Sequence, residues 1–287
     1  LKLNNIYYKD EDKRFDLKSF KALGGAFAVY KIASEKKDIK VSTATAGNHG
    51  RSVAWGAQRL GLKCKIFISE FVSESRAEAM RNLDAEVIRV KGNYDNSLKE
   101  CIEQSNKNNW EIVQDVSWEG YKEVPKLIMA GYTIMVKEII DEIDKNSITH
   151  VFLQAGVGGM AAAIIAGFAK LSKNIPQFVV VEPENADCVF QSIKNNKPTT
   201  VDIKKETVMG GMSCGDVSSI AWEILKNSAN SCLTIPDEAI STAVALLAEA
   251  RLSDEKIIGG ECAVPGIIAL IGSYNNKEYL DKLKLDS

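Results

Sequence analysis

From residue 41 onward the chain alternates short apolar runs with longer segments in which apolar residues recur every three or four positions. The first pattern is that of strands, the second that of amphipathic helices. Strands are predicted at Val41–Thr45, Cys64–Ile68, Glu86–Val90 and Glu111–Gln114. Between and after them come helices at Gly50–Leu60, Ser73–Leu83, Tyr94–Ser105 and, longest of all, Val124–Ile143. The rhythm resumes with strand His150–Gln154, helix Gly159–Leu171 and strand Phe178–Glu182. Strands alternating with helices imply a parallel sheet joined by right-handed crossovers. Phe178-Val-Val-Val-Glu182 is nearly all apolar, as a strand covered on both faces should be. The expected fold class is α/β, in three layers. Between Lys194 and Gly211 the pattern fades into a polar stretch with Pro198, predicted as a long surface excursion. Helices resume at Ser218–Asn227, Asp237–Arg251, Val264–Tyr274 and Lys277–Leu285. A doubly wound sheet would often place another strand after the last of these, and the chain opens on Leu1 rather than Met, so both ends are expected to be incomplete.

Composition narrows the partners. The formal net charge over 287 residues is −2, too small to recruit nucleic acid or acidic lipid through a basic field. Cys64, Cys101, Cys188, Cys214, Cys232 and Cys262 form no C-x-x-C pair, and there are only two histidines. That argues against zinc and against a disulfide framework, and fits reduced thiols in a cytosol. No apolar run is long enough to span a bilayer and no signal-peptide pattern opens the chain. The expectation is a soluble, cytoplasmic protein with a small-molecule ligand, no metal, and neither nucleic-acid nor membrane partners.

Three segments carry candidate chemistry. Gln154-Ala-Gly-Val-Gly-Gly-Met160 follows a strand and opens an alanine-rich helix. Glycines let the backbone approach a ligand closely, and free N–H groups at a helix N-terminus point toward an anion. The spacing matches neither the dinucleotide fingerprint nor the P-loop, so a tight turn that binds nothing is an equal alternative from this loop alone. Thr43-Ala-Thr-Ala-Gly-Asn-His-Gly50 sits at an equivalent junction, where Thr45, Asn48 and His49 offer side-chain hydrogen bonds. Both loops lie at carboxyl ends of predicted strands, where open α/β sheets bind ligands. His49 taken alone is more often structural than catalytic. Lys21 is expected on the first turn of a helix, between Phe20 and Ala-Leu-Gly-Gly25. Its sequence neighbours are uncharged, and a desolvated lysine can serve as a nucleophilic amine, although a lone lysine is usually a solvated surface residue.

Taken in order, four segments resemble the tryptophan-synthase-β-like, or fold type II, pyridoxal-phosphate enzymes. They are Ser19-Phe-Lys-Ala-Leu-Gly-Gly25, Ala46-Gly-Asn-His-Gly-Arg51, Gln114-Asp-Val-Ser-Trp-Glu-Gly-Tyr121 and Gln154–Met160. Within that group the chain is most similar to the diaminopropionate ammonia-lyases, through Ile112-Val-Gln-Asp115, Val181-Glu-Pro-Glu-Asn-Ala-Asp-Cys188 and Gly260-Glu-Cys-Ala263. The resemblance covers nearly the whole chain. It implies two open parallel-sheet α/β domains, with the active site in the cleft. Residues 1–40 plus 146–287 would form the larger, cofactor-binding domain and 41–145 the smaller. It implies pyridoxal 5'-phosphate as cofactor, bound to Lys21 as a Schiff base, with the freed Lys21 amine acting as a base. Asn48 would hydrogen-bond the cofactor ring, and the backbone of Gly156, Val157, Gly158, Gly159 and Met160 would hold its phosphate. Thr45, Ala46, Gly47, His49 and Gly50 would grip the substrate carboxylate. Asp115 would act near the substrate as a base or by holding a β-ammonium group; capping a turn is its structural alternative. Relatives of this kind are commonly homodimers.

The reaction so implied is α,β-elimination from 2,3-diaminopropionate to pyruvate and ammonia. Ala46 stands where these lyases usually carry Asp, and Thr45-Ala-Gly-Asn-His49 resembles the loop of serine and threonine dehydratases more closely. A dehydratase of serine, threonine or 3-hydroxyaspartate therefore stays open, as does a non-catalytic phosphate-ligand binder on the same scaffold. No residue here matches the family's partner for the pyridine nitrogen.

Overall fold

The computed structural model describes residues 3, 5–45, 47–144 and 147–285, and within them seven strands pair in parallel into two sheets. The chain packs as two compact units, one formed by Glu11–Ile134 and the other by Leu1–Asp10 together with Met135–Ser287.

The Glu11–Ile134 unit runs α1 (Lys21–Glu35), β1 (Lys40–Ala44), α2 (Asn48–Arg59), β2 (Lys63–Ser69), α3 (Glu74–Arg81), β3 (Ala85–Val90), α4 (Tyr94–Asn108), β4 (Glu111–Ile112) and α5 (Glu123–Tyr132). Its sheet has the order β3-β2-β1-β4, with Thr43 opposite Ile66 and Ala44 opposite Phe67. Alternation along β2 sends neighbouring side chains to opposite faces. Phe67 joins Ala44 and Cys101 of α4 on one face, whereas Ile66 lies against Gly50 of α2 beside Met80 of α3 on the other. Helices therefore cover both faces, the three layers that the alternating pattern implies. Each such fully buried large side chain contributes roughly 1.5–3 kcal/mol.

The second unit contains α6 (Ile134–Glu142), β5 (His150–Gln154), α7 (Gly159–Leu171), β6 (Gln177–Pro183), α8 (Cys188–Asn195), α9 (Ser219–Ser228), β7 (Ser231–Ile235), α10 (Ile240–Ala248), α11 (Pro265–Tyr274) and α12 (Lys277–Leu283). The sheet order is β5-β6-β7, which places the apolar strand β6 in the centre, buried from Phe178 to Pro183. Val179 and Val181 face a core with Ile240, Leu247, Leu270 and Leu283, while Phe178 packs on Phe168 of α7. Among the described residues no helix is long and apolar enough to cross a membrane.

The structure departs from the sequence pattern in three places. The helix expected at Val124–Ile143 is two helices, because Thr133 closes α5 by donating its hydroxyl to Ala130 O at 2.6 Å. The pattern gave no helix at Cys188–Asn195 and no strand at Ser231–Ile235; β7 is a short edge strand and only half buried over most of its length. Residues 11–40 pack with the unit that contains β1–β4, not with the larger part as the resemblance implied. The reason is steric fit: α1 lies directly on α2 and α5.

That fit depends on Gly56 of α2, where an added Cβ would stand 2.8 Å from Ala26 Cα and 3.2 Å from Ala26 Cβ. A Gly56→Ala change gains up to about 1 kcal/mol of helix propensity, but overpacking against backbone costs roughly 1–3 kcal/mol. The expected outcome is net destabilisation, read as a lower midpoint in urea unfolding; an unchanged or raised midpoint would show that α1 and α2 can separate freely.

Candidate active site

Strand β4 stops at Ile112, two residues short of its predicted end, and a side chain takes over the pairing. Gln114, fully buried, accepts from Ala44 N at 3.1 Å through Oε1 and donates from Nε2 to Ala44 O at 3.0 Å. Its side-chain amide thus imitates a strand residue beside β1. The Gln114 backbone N–H donates to Tyr121 Oη at 2.9 Å, and that hydroxyl donates to Ile112 O at 2.7 Å. Tyr121 is itself fixed by stacking on Trp118, with centroids 4.1 Å apart. Locked on both sides, the chain presents the next residue, Asp115, at the end of β1's neighbour.

Asp115 meets Lys21 there. Lys21 is the first residue of α1, its backbone N–H donating to Ser19 Oγ at 3.2 Å. Lys21 Nζ donates to Asp115 Oδ2 at 2.5 Å, with side-chain exposures of 28% and 13%. The sequence pointed to an amine among uncharged neighbours; in space the amine faces a carboxylate across a partly buried ion pair. Burial alone would raise the Asp115 carboxyl, but in the acid range where it titrates, the His49 ring is protonated, and its charge, the Lys21 charge and the Lys21 hydrogen bond hold the carboxyl well below the usual carboxylate range.

His49 completes the group. Its Nε2 lies 2.8 Å from Val113 O, and a carbonyl can only accept, so Nε2 carries the proton. Burial pushes the ring below its ordinary value, although Asp115 opposes this. The neutral ring leaves Nδ1 as an acceptor, buried, 3.7 Å from Asp115 Oδ2 and without a hydrogen-bond partner.

Around it, Thr45 Oγ1 accepts from Gly47 N at 2.9 Å and Gly50 N at 3.2 Å, so this side chain shapes the loop from within. Asn48 opens α2 and is half buried, while Gly50 is buried against Ile66 and Met80. Ala46 lies outside the described residues. One turn further along α2, burial lowers the Arg51 guanidinium, and its Nε is buried with no hydrogen-bond partner. Lys21, Thr45, Gly47, Asn48, His49, Gly50 and Asp115 all belong to the Glu11–Ile134 unit.

The glycine turn belongs to the other unit. After β5, Gly158 takes a φ of +86°, which glycine adopts without penalty, and α7 begins at Gly159. A Cβ at Gly158 would stand 2.7 Å from Leu225 Cδ1, and one at Gly156 would stand 3.0 Å from Cys214 Sγ. Val157 O accepts from Ser218 N at 2.9 Å. Among the described residues, nothing accepts from the backbone N–H groups of Gly156, Val157, Gly158, Gly159 or Met160. Such a cluster of open donors at a helix N-terminus suits a phosphate.

The sequence pattern did not single out the carboxylate that backs this turn. Glu182, fully buried, accepts from Val189 N at 2.9 Å and Phe190 N at 2.7 Å, capping α8. The Cys188 thiol lies between Glu182 Oε1 at 3.7 Å and Gly156 O at 3.6 Å. Burial raises the Glu182 carboxyl to about 8 in spite of the two amides. A lone acid at the end of an otherwise apolar strand was the available signal. Gln114 left a comparable one, a polar residue inside a buried run.

A primary amine beside a carboxylate and a helix-end cradle for phosphate fit an aldehyde cofactor that carries a phosphate. The chain matches the family described as "Pyridoxal-phosphate dependent enzyme" over residues 1–280, and it belongs to that family. It is 32% identical over 308 residues to diaminopropionate ammonia-lyase of Escherichia coli K12, covering 99% of this chain and 77% of that protein. The Salmonella typhimurium LT2 protein of the same name is 34% identical over 319 residues, covering 100% and 79%. The crystal structure of the Escherichia coli enzyme in complex with an aminoacrylate-PLP azomethine reaction intermediate superposes with a TM-score of 0.87 at 33% identity, covering 96% of this chain and 75% of that one.

Glu182 gives a pH signature. A folded-state carboxyl raised from 4.5 to about 8 holds its proton more tightly than the unfolded chain does. Its contribution is present below pH 4.5 and is lost as pH rises toward 8. Compared with Glu182→Gln, the native chain should lose thermal stability progressively between those values and no further above them. A constant difference across that range would show that Glu182 is ionised in the fold.

Proposed function

We propose that this chain is an ammonia-lyase that eliminates the β-amino group of 2,3-diaminopropionate, with uptake of water, to give pyruvate and ammonia. Pyridoxal phosphate, when bound, withdraws electrons from the substrate's Cα and so acidifies its proton. Lys21 carries the cofactor in this reading and, as a free amine, takes that proton, a step worth typically about 10²–10⁴-fold; its pairing with Asp115 supports the assignment. Asn48 bonds the cofactor ring in this reading, and the open amides of Gly156–Met160 support a phosphate there. The Thr45–Gly50 loop takes the substrate carboxylate, with the unpaired Arg51 Nε favouring an anion near that helix.

The observation that carries the choice of substrate is the state of Asp115. A β-ammonium departs as neutral ammonia, whereas a β-hydroxyl must gain a proton as it leaves. Asp115 is paired with the Lys21 ammonium here, and once Lys21 carries the cofactor the same carboxylate is free to pair with a substrate ammonium group. His49 Nδ1, without a proton, has none to give a departing hydroxyl. Both features suit a diamino substrate.

Dehydration of serine, threonine or 3-hydroxyaspartate is the second reading, favoured by Ala46 in place of the lyases' Asp. The proposal extends to a cytosolic homodimer. Reduced thiols and the small net charge fit a cytosol; the dimer comes from the resemblance alone, and light scattering of the purified chain tests it.

One panel separates the readings: both enantiomers of 2,3-diaminopropionate, serine, threonine and 3-hydroxyaspartate, assayed for 2-oxo acid and ammonia. Diaminopropionate should be turned over fastest; a faster hydroxy amino acid would install the dehydratase. Lys21→Ala should abolish turnover. Borohydride reduction followed by peptide mass analysis should find the cofactor fixed to Lys21, and a label on any other lysine would remove Lys21 from the mechanism.

A further inference from the structure

Gln114 is fully buried, and its side-chain amide uses all four of its hydrogen-bonding positions. Besides its two bonds to Ala44, Oε1 accepts from Thr43 Oγ1 at 2.9 Å, and Nε2 donates at 2.7 Å to Tyr94 Oη, where α4 begins. A backbone N–H can only donate and a carbonyl can only accept, so the two Ala44 contacts fix which end of the amide is nitrogen. Ala44 is the last residue of β1, and the next, Thr45, gathers the loop by accepting from Gly47 N and Gly50 N. The residue before Gln114 is tied to the same region. Val113 N donates to Ser42 O at 2.8 Å, and Val113 O accepts from His49 Nε2 at 2.8 Å. Residues 113 and 114 are thus cross-linked to the stretch from Ser42 to His49, and Asp115 follows directly.

The two segments so joined are those to which the proposed reaction assigns the two ends of the substrate, its carboxylate to the Thr45–Gly50 loop and its β-ammonium to Asp115. A fully satisfied buried amide resists displacement, because moving it leaves donors and acceptors unpaired away from water. An aliphatic side chain of similar length would fill the same volume without holding Ala44. We propose that Gln114 is a positioning residue that fixes the distance between the carboxylate-gripping loop and Asp115, and thereby selects amino acids carrying an ammonium group on the β-carbon. Tyr94 supports the amide from α4. The inference rests on the reading of that loop and Asp115 as the two substrate anchors. A substrate that uses both anchors senses their spacing; one that uses the loop alone does not.

The test compares Gln114→Met, which keeps the side chain's length and removes its polar end, with Tyr94→Phe, which removes one acceptor and leaves both Ala44 bonds in place. In the cofactor-loaded protein, kcat/KM is measured for 2,3-diaminopropionate and for β-chloroalanine, whose chloride leaves without a cationic partner. Tyr94→Phe should lower the value for diaminopropionate by about three- to tenfold, the size of one neutral hydrogen bond, chiefly through KM, and leave β-chloroalanine within about twofold. Gln114→Met should widen the gap further. Equal losses for both substrates would show a merely structural role and overturn the proposal. The second readout needs neither substrate nor cofactor. An amine held as an ammonium by Asp115 is a poor nucleophile, so Asp115→Asn should speed trinitrobenzenesulfonate labelling of Lys21, measured by peptide mapping. Gln114→Met should give most of that acceleration, and the double variant should be no faster than Asp115→Asn alone. Accelerations that multiply would overturn the role. Unaltered labelling of the other lysines identifies a folded variant, and where Gln114→Met does not fold, Tyr94→Phe carries both readouts. Native protein that eliminates chloride from β-chloroalanine but not ammonia from diaminopropionate would sink the lyase reading alone, because the labelling cycle would still report whether Gln114 aims Asp115.

Discussion

The contact between Lys21 Nζ and Asp115 Oδ2 joins two groups that are far apart in sequence, and neither can be allowed to swing away. Much of the Glu11–Ile134 unit serves that single requirement. On the lysine side, α1 is held by its close approach to α2 at Gly56 and by the Phe20–Tyr132 ring contact. On the carboxylate side, Gln114 clamps its side chain onto β1 while Tyr121 ties its backbone to Ile112. A strand continuing through 113–116 would alternate its side chains between the two faces of the sheet. Ending the strand and substituting a side-chain amide frees Asp115 to point at the amine. The irregularity is therefore what aims the carboxylate.

Two buried carboxylates in this chain are driven in opposite directions, and the contrast explains their work. Asp115 has a cation within hydrogen-bond distance and stays ionised. Glu182 has only amides and thiols for company, and burial wins. The first is suited to holding a cation. The second is suited to fixing a helix end and, through Cys188, the carbonyl of Gly156, without placing a negative charge behind a phosphate cradle. A fully ionised Glu182 would repel any anion brought to the open amides of Gly156–Met160.

Most strand and helix positions could be read from periodicity because they are covered on both faces, as β6 and α7 show. What periodicity missed lies where hydrogen bonds decide rather than apolar contacts. Thr133 ends a helix with its own hydroxyl, Gln114 replaces a strand with its own amide, and β7 is an edge strand with few large apolar side chains. The glycine turn and the Thr45–Gly50 loop could be read as ligand sites from small residues at strand ends. Lys21 is a candidate from its uncharged sequence neighbours and takes a role only from the resemblance; its partner Asp115 is distant in the chain, so those neighbours give the opposite picture of its surroundings.

The unit holding the Lys21–Asp115 pair is one uninterrupted stretch, Glu11–Ile134, and residues of the second unit both precede and follow it in the sequence. Amine, carboxylate and imidazole are thus inherited together. A crossover near residues 10 and 134 would transplant Lys21, Asp115 and His49 as a block while leaving the Gly156–Met160 turn to whatever chain flanks it.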